Sequence, residues 1–267
     1  ELASLQTARS IIVLAPESDD PDAATIKTIL AITNNPRRRS VPYHIVAEIH
    51  DPKNLEVARL VGRDEVELVL TSSLISRIIA QTCRQSGLSV VYTELLDFGG
   101  DEIYFKEEAE LAGKTFGETL HAYEDSAVIG LHSPGQGVRL NPPMDTLLRP
   151  GDQVIAISED DNTIRLSHRT GPDFEEGKIV SRQPRQHHPE RTLILGWNWR
   201  VPMIINELDQ YTAPGSSITL VADYENGEAE LARLCTDIQN ETISFHKDDG
   251  KVVPTPVGDV AQVQQGY

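Results

Sequence analysis

Basic residues are scarce. The 267-residue chain has 24 Lys and Arg against 41 Asp and Glu, a net charge of −17. Neutralising a phosphate backbone takes clustered cations, so this acidity excludes a dedicated nucleic-acid binder. Cysteine is also scarce: Cys83 and Cys235 lie far apart and neither belongs to a CxxC pair. That excludes a disulfide framework or zinc knuckle and favours a reducing, cytoplasmic setting. Aromatic residues make up only 5% and hydrophobic residues 39%, which is low for one tight globule. Apolar strand-length runs nevertheless recur along the chain, so folded domains joined by a linker are expected rather than disorder. No apolar run approaches the roughly 18 to 20 residues that cross a bilayer; Ile11–Ala15 and Val66–Leu70 are strand-sized. The opening Glu1-Leu2-Ala3-Ser4 lacks both an initiator Met and a signal-peptide pattern, and reads as the interior of a longer protein. GxSxG, HExxH and P-loop motifs are missing, and the pair His187-His188 has no third metal ligand beside it, so hydrolytic chemistry has little support.

What is present is a strand-helix alternation. Ser10–Ala15 reads as a strand, 17–22 as a polar loop and Ala23–Thr33 as a helix. Tyr43–His50, a helix around Asn54–Val61, Val66–Leu70 and a helix from Ser72 to Arg84 follow, ended by Gly87. This rhythm implies a parallel sheet of right-handed crossover units, a Rossmann-like α/β lobe over residues 1–98. Unbroken apolar runs such as Ile11-Ile12-Val13-Leu14 predict strands covered on both faces. From 99 to 160 the elements shorten to Glu102–Lys106, Thr115–Leu120, Ala127–Leu131, Gly137–Leu140 and Gln153–Ile157, separated by Pro/Gly turns, which describes a small α+β domain. Residues 161–190 carry the composition of a charge-balanced linker. At Arg191 the rhythm restarts with a strand at Thr192–Leu195, a helix at Val201–Leu208 and strands at Ser217–Val221 and Thr242–Phe245, so 191–267 reads as the start of a second Rossmann-like lobe.

Three constellations carry candidate chemistry. Asp19, Asp20 and Asp22 follow the first strand, and Glu48 and His50 end the second, on one face by the period of two. Ligands of open α/β sheets collect at such strand ends, and Ca²⁺ or another hard cation takes oxygens from separate segments. An acidic helix start favoured by the helix dipole accounts for the Asp run equally well. In the second lobe, Gly196 and Asp223 hold the places of a dinucleotide turn and a ribose-binding carboxylate. Gly196 stands alone, however, and Trp199 and Val201 are expected to fill the space of a diphosphate; a solvated strand-end Asp223 is the alternative. Leu74, Ile75, Ile78, Ile79 and Cys83 form an apolar helix face that continues past Gly87 into a second short helix, Val90–Leu96. Such a helix pair suits a dimer arm or, equally, packing on its own sheet. Cys83 itself reads as a structural thiol.

The run from Ser10 to Leu96, with Ile-Val-Ala-Glu at 45–48, Leu60-Val61-Gly62 and Ser73–Gln81, resembles the later half of an RCK domain, a regulator of potassium conductance. Glu102–Asp160, with Gly113–Glu118, Asn141-Pro142-Pro143 and Leu148–Ile157, resembles its C-terminal lobe. Cys83–Leu88 and the restart at Leu195-Gly196-Trp197 are similar to the CASTOR/POLLUX ion-channel family. The resemblance implies a non-enzymatic regulatory module on the cytoplasmic side of a membrane, with two RCK units per subunit and a tetrameric gating ring. It also implies a transmembrane pore elsewhere in the full-length chain and gating by a cation or nucleotide. Calcium-gated relatives carry acids matching Asp19–Asp22 and the Glu48 and His50 strand end; His50 departs from the second carboxylate. A nicotinamide-dependent enzyme fragment and a ligand-free assembly module are the rival readings.

Overall fold

The computed structural model describes residues 4–167, 178 and 188–247. Most of the segment read as a linker, including His187, and everything from 248 onward lie outside the described residues. The chain divides into two compact units, one of residues 1–84 with 186–267, the other of residues 85–185. The two segments read as separate Rossmann-like domains therefore fall in one unit, and the division comes at 84/85 rather than at 98.

The first lobe of that unit is a three-stranded parallel sheet in the order β1 (Ile11–Val13), β2 (Ile45–Ile49), β3 (Val66–Leu70). Helix α1 (Pro21–Thr33) joins β1 to β2, and α2 (Leu55–Gly62) joins β2 to β3. Asp20 starts α1, its carboxylate accepting the Ala23 N–H at 3.1 Å, and Pro21 follows where its missing N–H costs nothing. Two successive right-handed crossovers running the same way across a sheet put their helices on one face. That face holds the core: Ile45, Ala47 and Ile49 are fully buried, with Val13, Ile29 and Ile32 packed around them. The expectation of strands covered on both faces is corrected here, because Ile12 and Leu14 are 71% and 73% exposed. β1 is an edge strand, and its outward face has no helix over it among the described residues.

The second lobe repeats the plan. β8 (Arg191–Leu195), α6 (Val201–Asp209), β9 (Ser216–Ala222), α7 (Gly227–Leu234) and β10 (Glu241–Lys247) form a parallel sheet in the order β10-β9-β8. Val201, Ile205 and Leu208, spaced to share one side of α6, pack with the fully buried Ile218 and Leu220. Leu193 and Leu195 on the edge strand β8 are exposed, as on β1.

Helix α3 (Thr71–Arg84) packs on α6 through its small residues. Ser72, Ser76 and Ala80 recur every four residues and are almost fully buried, which lets the helices approach closely, and Ala80 joins the second-lobe core. Arg77 with Glu207 at 3.5 Å, Gln81 with Tyr211 at 3.2 Å and Arg84 with Glu190 at 3.2 Å line the same side.

The other unit holds α4 (Leu88–Leu96), β4 (Glu102–Glu107), the one-turn α5 (Phe116–Thr119), β5 (Ala127–Ser133), β6 (Gly137–Leu140) and β7 (Gln153–Ser158). Its antiparallel sheet runs β4-β7-β5-β6 over a core of Leu111, Phe116, Leu131, Leu148 and Val154. A capping box opens α5: Thr115 and Glu118 bond each other's backbone N–H. Gly87, at φ +86°, supplies the left-handed residue before α4.

Candidate functional site

The carboxyl ends of β1 and β2 meet the start of α1. Asp22, two residues into that helix, is 2% exposed. Its Oδ1 accepts the backbone N–H of His50 at 2.8 Å, and its Oδ2 accepts the N–H of Asp51 at 2.9 Å and the Asn54 side-chain amide at 2.8 Å. Burial raises the pKa of this carboxyl, but the hydrogen bonds from Asn54, His50 and Asp51, with the His50 charge, outweigh it and leave it lowered. Glu48 is held from both sides: Oε2 accepts the Ala15 N–H at 3.2 Å, and Oε1 lies 3.0 Å from His50 Nε2. Burial pushes Glu48 up too, yet His50, the Ala15 N–H and Thr71 bring its pKa below the ordinary glutamate value.

Of the five residues read as a cation site, the structure thus links Asp22, Glu48 and His50 in one network. Asp20 is turned to cap its own helix, and Asp19 is exposed. Asp22 spends its oxygens on the protein's own donors, so it braces the His50–Asn54 turn. No group of three or more His, Cys, Asp or Glu able to hold a metal ion occurs among the described residues.

Beyond His50 lies a cavity of about 480 Å³, whose walls include Lys53, Trp199, Met203, Asn206 and Leu234. Sequence reading missed it. Its signal was Met203 and Asn206, three residues apart on α6 and away from Val201 and Ile205, with Trp199 in the turn just before the helix.

In the second lobe Gly196 has φ +90°, and its N–H donates to Val221 O at 2.8 Å, extending the β8–β9 pairing one residue past Leu195. Asp223, after β9, is exposed. The ring beside these two residues is Trp197, stacked on Tyr224 with centroids 4.6 Å apart and set edge-on to Phe245. The expected filling of this turn by Trp199 and Val201 is corrected: Val201 goes into the core under α6, and Trp199 faces the cavity with Arg200 over its ring at 4.3 Å.

Residues 72–173 match the family model described as Castor and Pollux, part of voltage-gated ion channel. The Lotus japonicus ion channel CASTOR is 32% identical over 94% of this chain, and the probable ion channel CASTOR of Oryza sativa subsp. japonica is 33% identical over 85%. The chain is similar to the CASTOR and POLLUX ion channels over most of its length. It spans 30% of the Lotus CASTOR and 25% of the rice CASTOR, so it corresponds to a limited segment of such a channel. Among solved structures, an RCK domain of GsuK is 23% identical over 57% of this chain and 30% of that one, with a TM-score of 0.24. The Rossmann-like character rests instead on this chain's own parallel strand order.

The stretch matching the Castor and Pollux model begins in α3, whose apolar residues stand away from the Ser72-Ser76-Ala80 face. Leu74, Ile75 and Ile79 are 51%, 38% and 43% exposed, Ile78 is half-buried and Cys83 exposed. Packing of α3 within its own unit therefore uses the small residues and leaves most of this apolar face uncovered. No helix among the described residues is long and apolar enough to cross a membrane.

Proposed function

We propose that this chain is a ligand-sensing regulatory segment of a CASTOR/POLLUX-like cation channel, acting on a pore carried elsewhere in the full-length protein. The observation that carries the reading is the Asp22–His50–Glu48 network at the carboxyl ends of β1 and β2, beside a cavity walled by both lobes of one unit. A ligand bound there touches both lobes, at the His50–Lys53 turn and at α6. It shifts their arrangement by its differential affinity for the alternatives and by no more than that. The cytoplasmic face of a membrane and a tetrameric ring, with the uncovered face of α3 as subunit contact, complete the reading. That relatives over most of the chain are named as ion channels supports a regulatory rather than an enzymatic role.

Ca²⁺ or another cation is the leading ligand, with Glu48, which makes one backbone hydrogen bond and one contact with His50, as the carboxylate that would meet it. The Trp197–Tyr224 stack flanks Gly196 and Asp223 and leaves a nucleotide there the weaker choice. Titration calorimetry tests the cation site: the chain binds Ca²⁺, and the variant Glu48→Gln binds at least tenfold more weakly. Unchanged binding by the variant would remove this cleft from consideration.

A further inference from the structure

We infer that the cavity between the His50–Lys53 turn and α6 is a binding site for a small amphipathic zwitterion, a free amino acid with an aromatic or branched side chain. This goes beyond the cation reading and stands whether or not a metal binds on the Asp22 side of the turn.

Size comes first. About 480 Å³ lies within the roughly 300 to 1,000 Å³ typical of small-molecule sites. Most of the wall is apolar: the Trp199 indole, the Met203 thioether, Leu234 at the end of α7, and the rings of Pro52 and Pro202. Met203 lies on the side of α6 away from Val201, Ile205 and Leu208, and Trp199 sits in the turn just before that helix. The core therefore does not consume them. Trp199 is 53% exposed, which is costly for an indole unless something covers it.

The polar groups decide the ligand class. The backbone N–H groups of the turn are spent: those of His50 and Asp51 go to Asp22, and that of Lys53 goes to Asp51 Oδ1 at 2.9 Å. The Asn206 amide donates to Leu234 O at 3.1 Å, leaving its own oxygen as an acceptor. The His50 imidazole, also in the lining, has its Nε2 taken by Glu48 at 3.0 Å, so what the rim leaves open is one ammonium, that of Lys53, which makes no ion pair among the described residues, and one carboxylate, that of Asp51. A lining with one charge of each sign beside an apolar wall favours a ligand of matching make-up. A simple organic anion meets Asp51 with nothing to offset it, and a simple amine meets Lys53 in the same way.

The turn is rigid on the ligand's behalf. Asp22 pins two consecutive N–H groups of it from α1, so side chains on the rim are presented by a fixed backbone and binding loses less to ordering.

The test exploits the two methionines of the chain, Met203 in the cavity wall and Met144 in the other unit. With ¹³C-methyl methionine in the whole chain, L-phenylalanine, 3-phenylpropionate and 2-phenylethylamine are titrated in parallel; the last two lack the ammonium and the carboxylate respectively. The expected result is a saturable shift of the Met203 methyl with L-phenylalanine, at least tenfold weaker binding of both analogues, and no shift of Met144. Lys53→Ala, on an exposed side chain and so neutral to folding, weakens L-phenylalanine at least fivefold. The inference is overturned by no Met203 shift with any probe, by equal affinity for all three, or by equal shifts at Met144.

Discussion

The Asp22 carboxylate accepts the backbone N–H of His50 at 2.8 Å and so ties the first turn of α1 to the end of β2 with a buried acid. The second lobe holds a counterpart. Asp209, 1% exposed at the end of α6, accepts the N–H groups of Gln239, Asn240 and Glu241 at 3.0, 2.7 and 3.0 Å. In each lobe a buried carboxylate satisfies backbone donors that would otherwise be stranded where a loop meets the sheet.

Replacing Asp22 by Asn puts an amide among three donors. The account expects a loss of about 2 kcal/mol, the cost of leaving buried donors poorly paired, read as a lower urea midpoint. The pH dependence follows from sign. The folded-state pKa values of Asp22 and Glu48 are lowered, so their stabilisation is present above the unfolded values of 3.8 and 4.5 and is lost as pH falls through the lower folded values. Asp22→Asn should flatten that acid limb in thermal melts across this range.

Glu241 behaves in the opposite sense. Both of its carboxylate oxygens are buried without a hydrogen bond. Burial raises its pKa; the Thr212 hydroxyl, close but outside hydrogen-bond geometry, and Arg84 pull it down, while Asp209 and Glu190 push it further up. A raised folded value means stability present below the unfolded 4.5 and lost as pH rises through the folded pKa. Glu241→Gln should therefore gain stability at neutral pH by about 1 kcal/mol, the cost of an unpaired buried polar group. Equal melting points for the two proteins at pH 7 would contradict this.

Gly227 opens α7 directly beneath the Phe245 ring, so any added Cβ collides with that ring. Gly227→Ala should cost about 1 to 3 kcal/mol by overpacking. Because Phe245 stands edge-on to Trp197, the near-ultraviolet circular dichroism should change with it.

The two faces of α3 should answer differently to substitution. Ala80→Leu forces a larger side chain between α3 and α6 and should destabilise the chain by about 1 to 3 kcal/mol. Ile79→Glu, on the 43% exposed side, should leave the melt nearly unchanged and reduce self-association in light scattering. Assembly unaffected by Ile79→Glu and Leu74→Glu together would rule out this face as the subunit contact.

The strands were legible because short, mostly apolar runs rich in β-branched and aliphatic residues, such as Ile45–Ile49 and Val66–Leu70, read as strands, and the restart after Arg191 was legible for the same reason. Helix α7 was not, since within Gly227–Leu234 the only large side chain that is buried is Leu231, and apart from Leu234 the rest is charged or small. The packing side of α3 was hidden in another way. Ser72 and Ser76 look like a solvated face, and only the close approach of α6 makes small residues the buried ones. At the cleft, the acidic run announced a charged site without saying which carboxylate turns inward. Asp22 is distinguished by N–H groups 28 and 29 residues away, a pairing no local pattern encodes. The cavity beside it draws on residues from 50 to 234, a separation that places it outside the reach of spacing arguments.

The most direct test is electrical. In inside-out patches from cells expressing the full-length channel, Ca²⁺ is applied to the cytoplasmic face of the wild type and of Glu48→Gln. The account predicts that Ca²⁺ changes open probability in the wild type and that the variant needs at least tenfold more for the same response. Identical dose-response curves, or a wild-type channel indifferent to Ca²⁺, would contradict it.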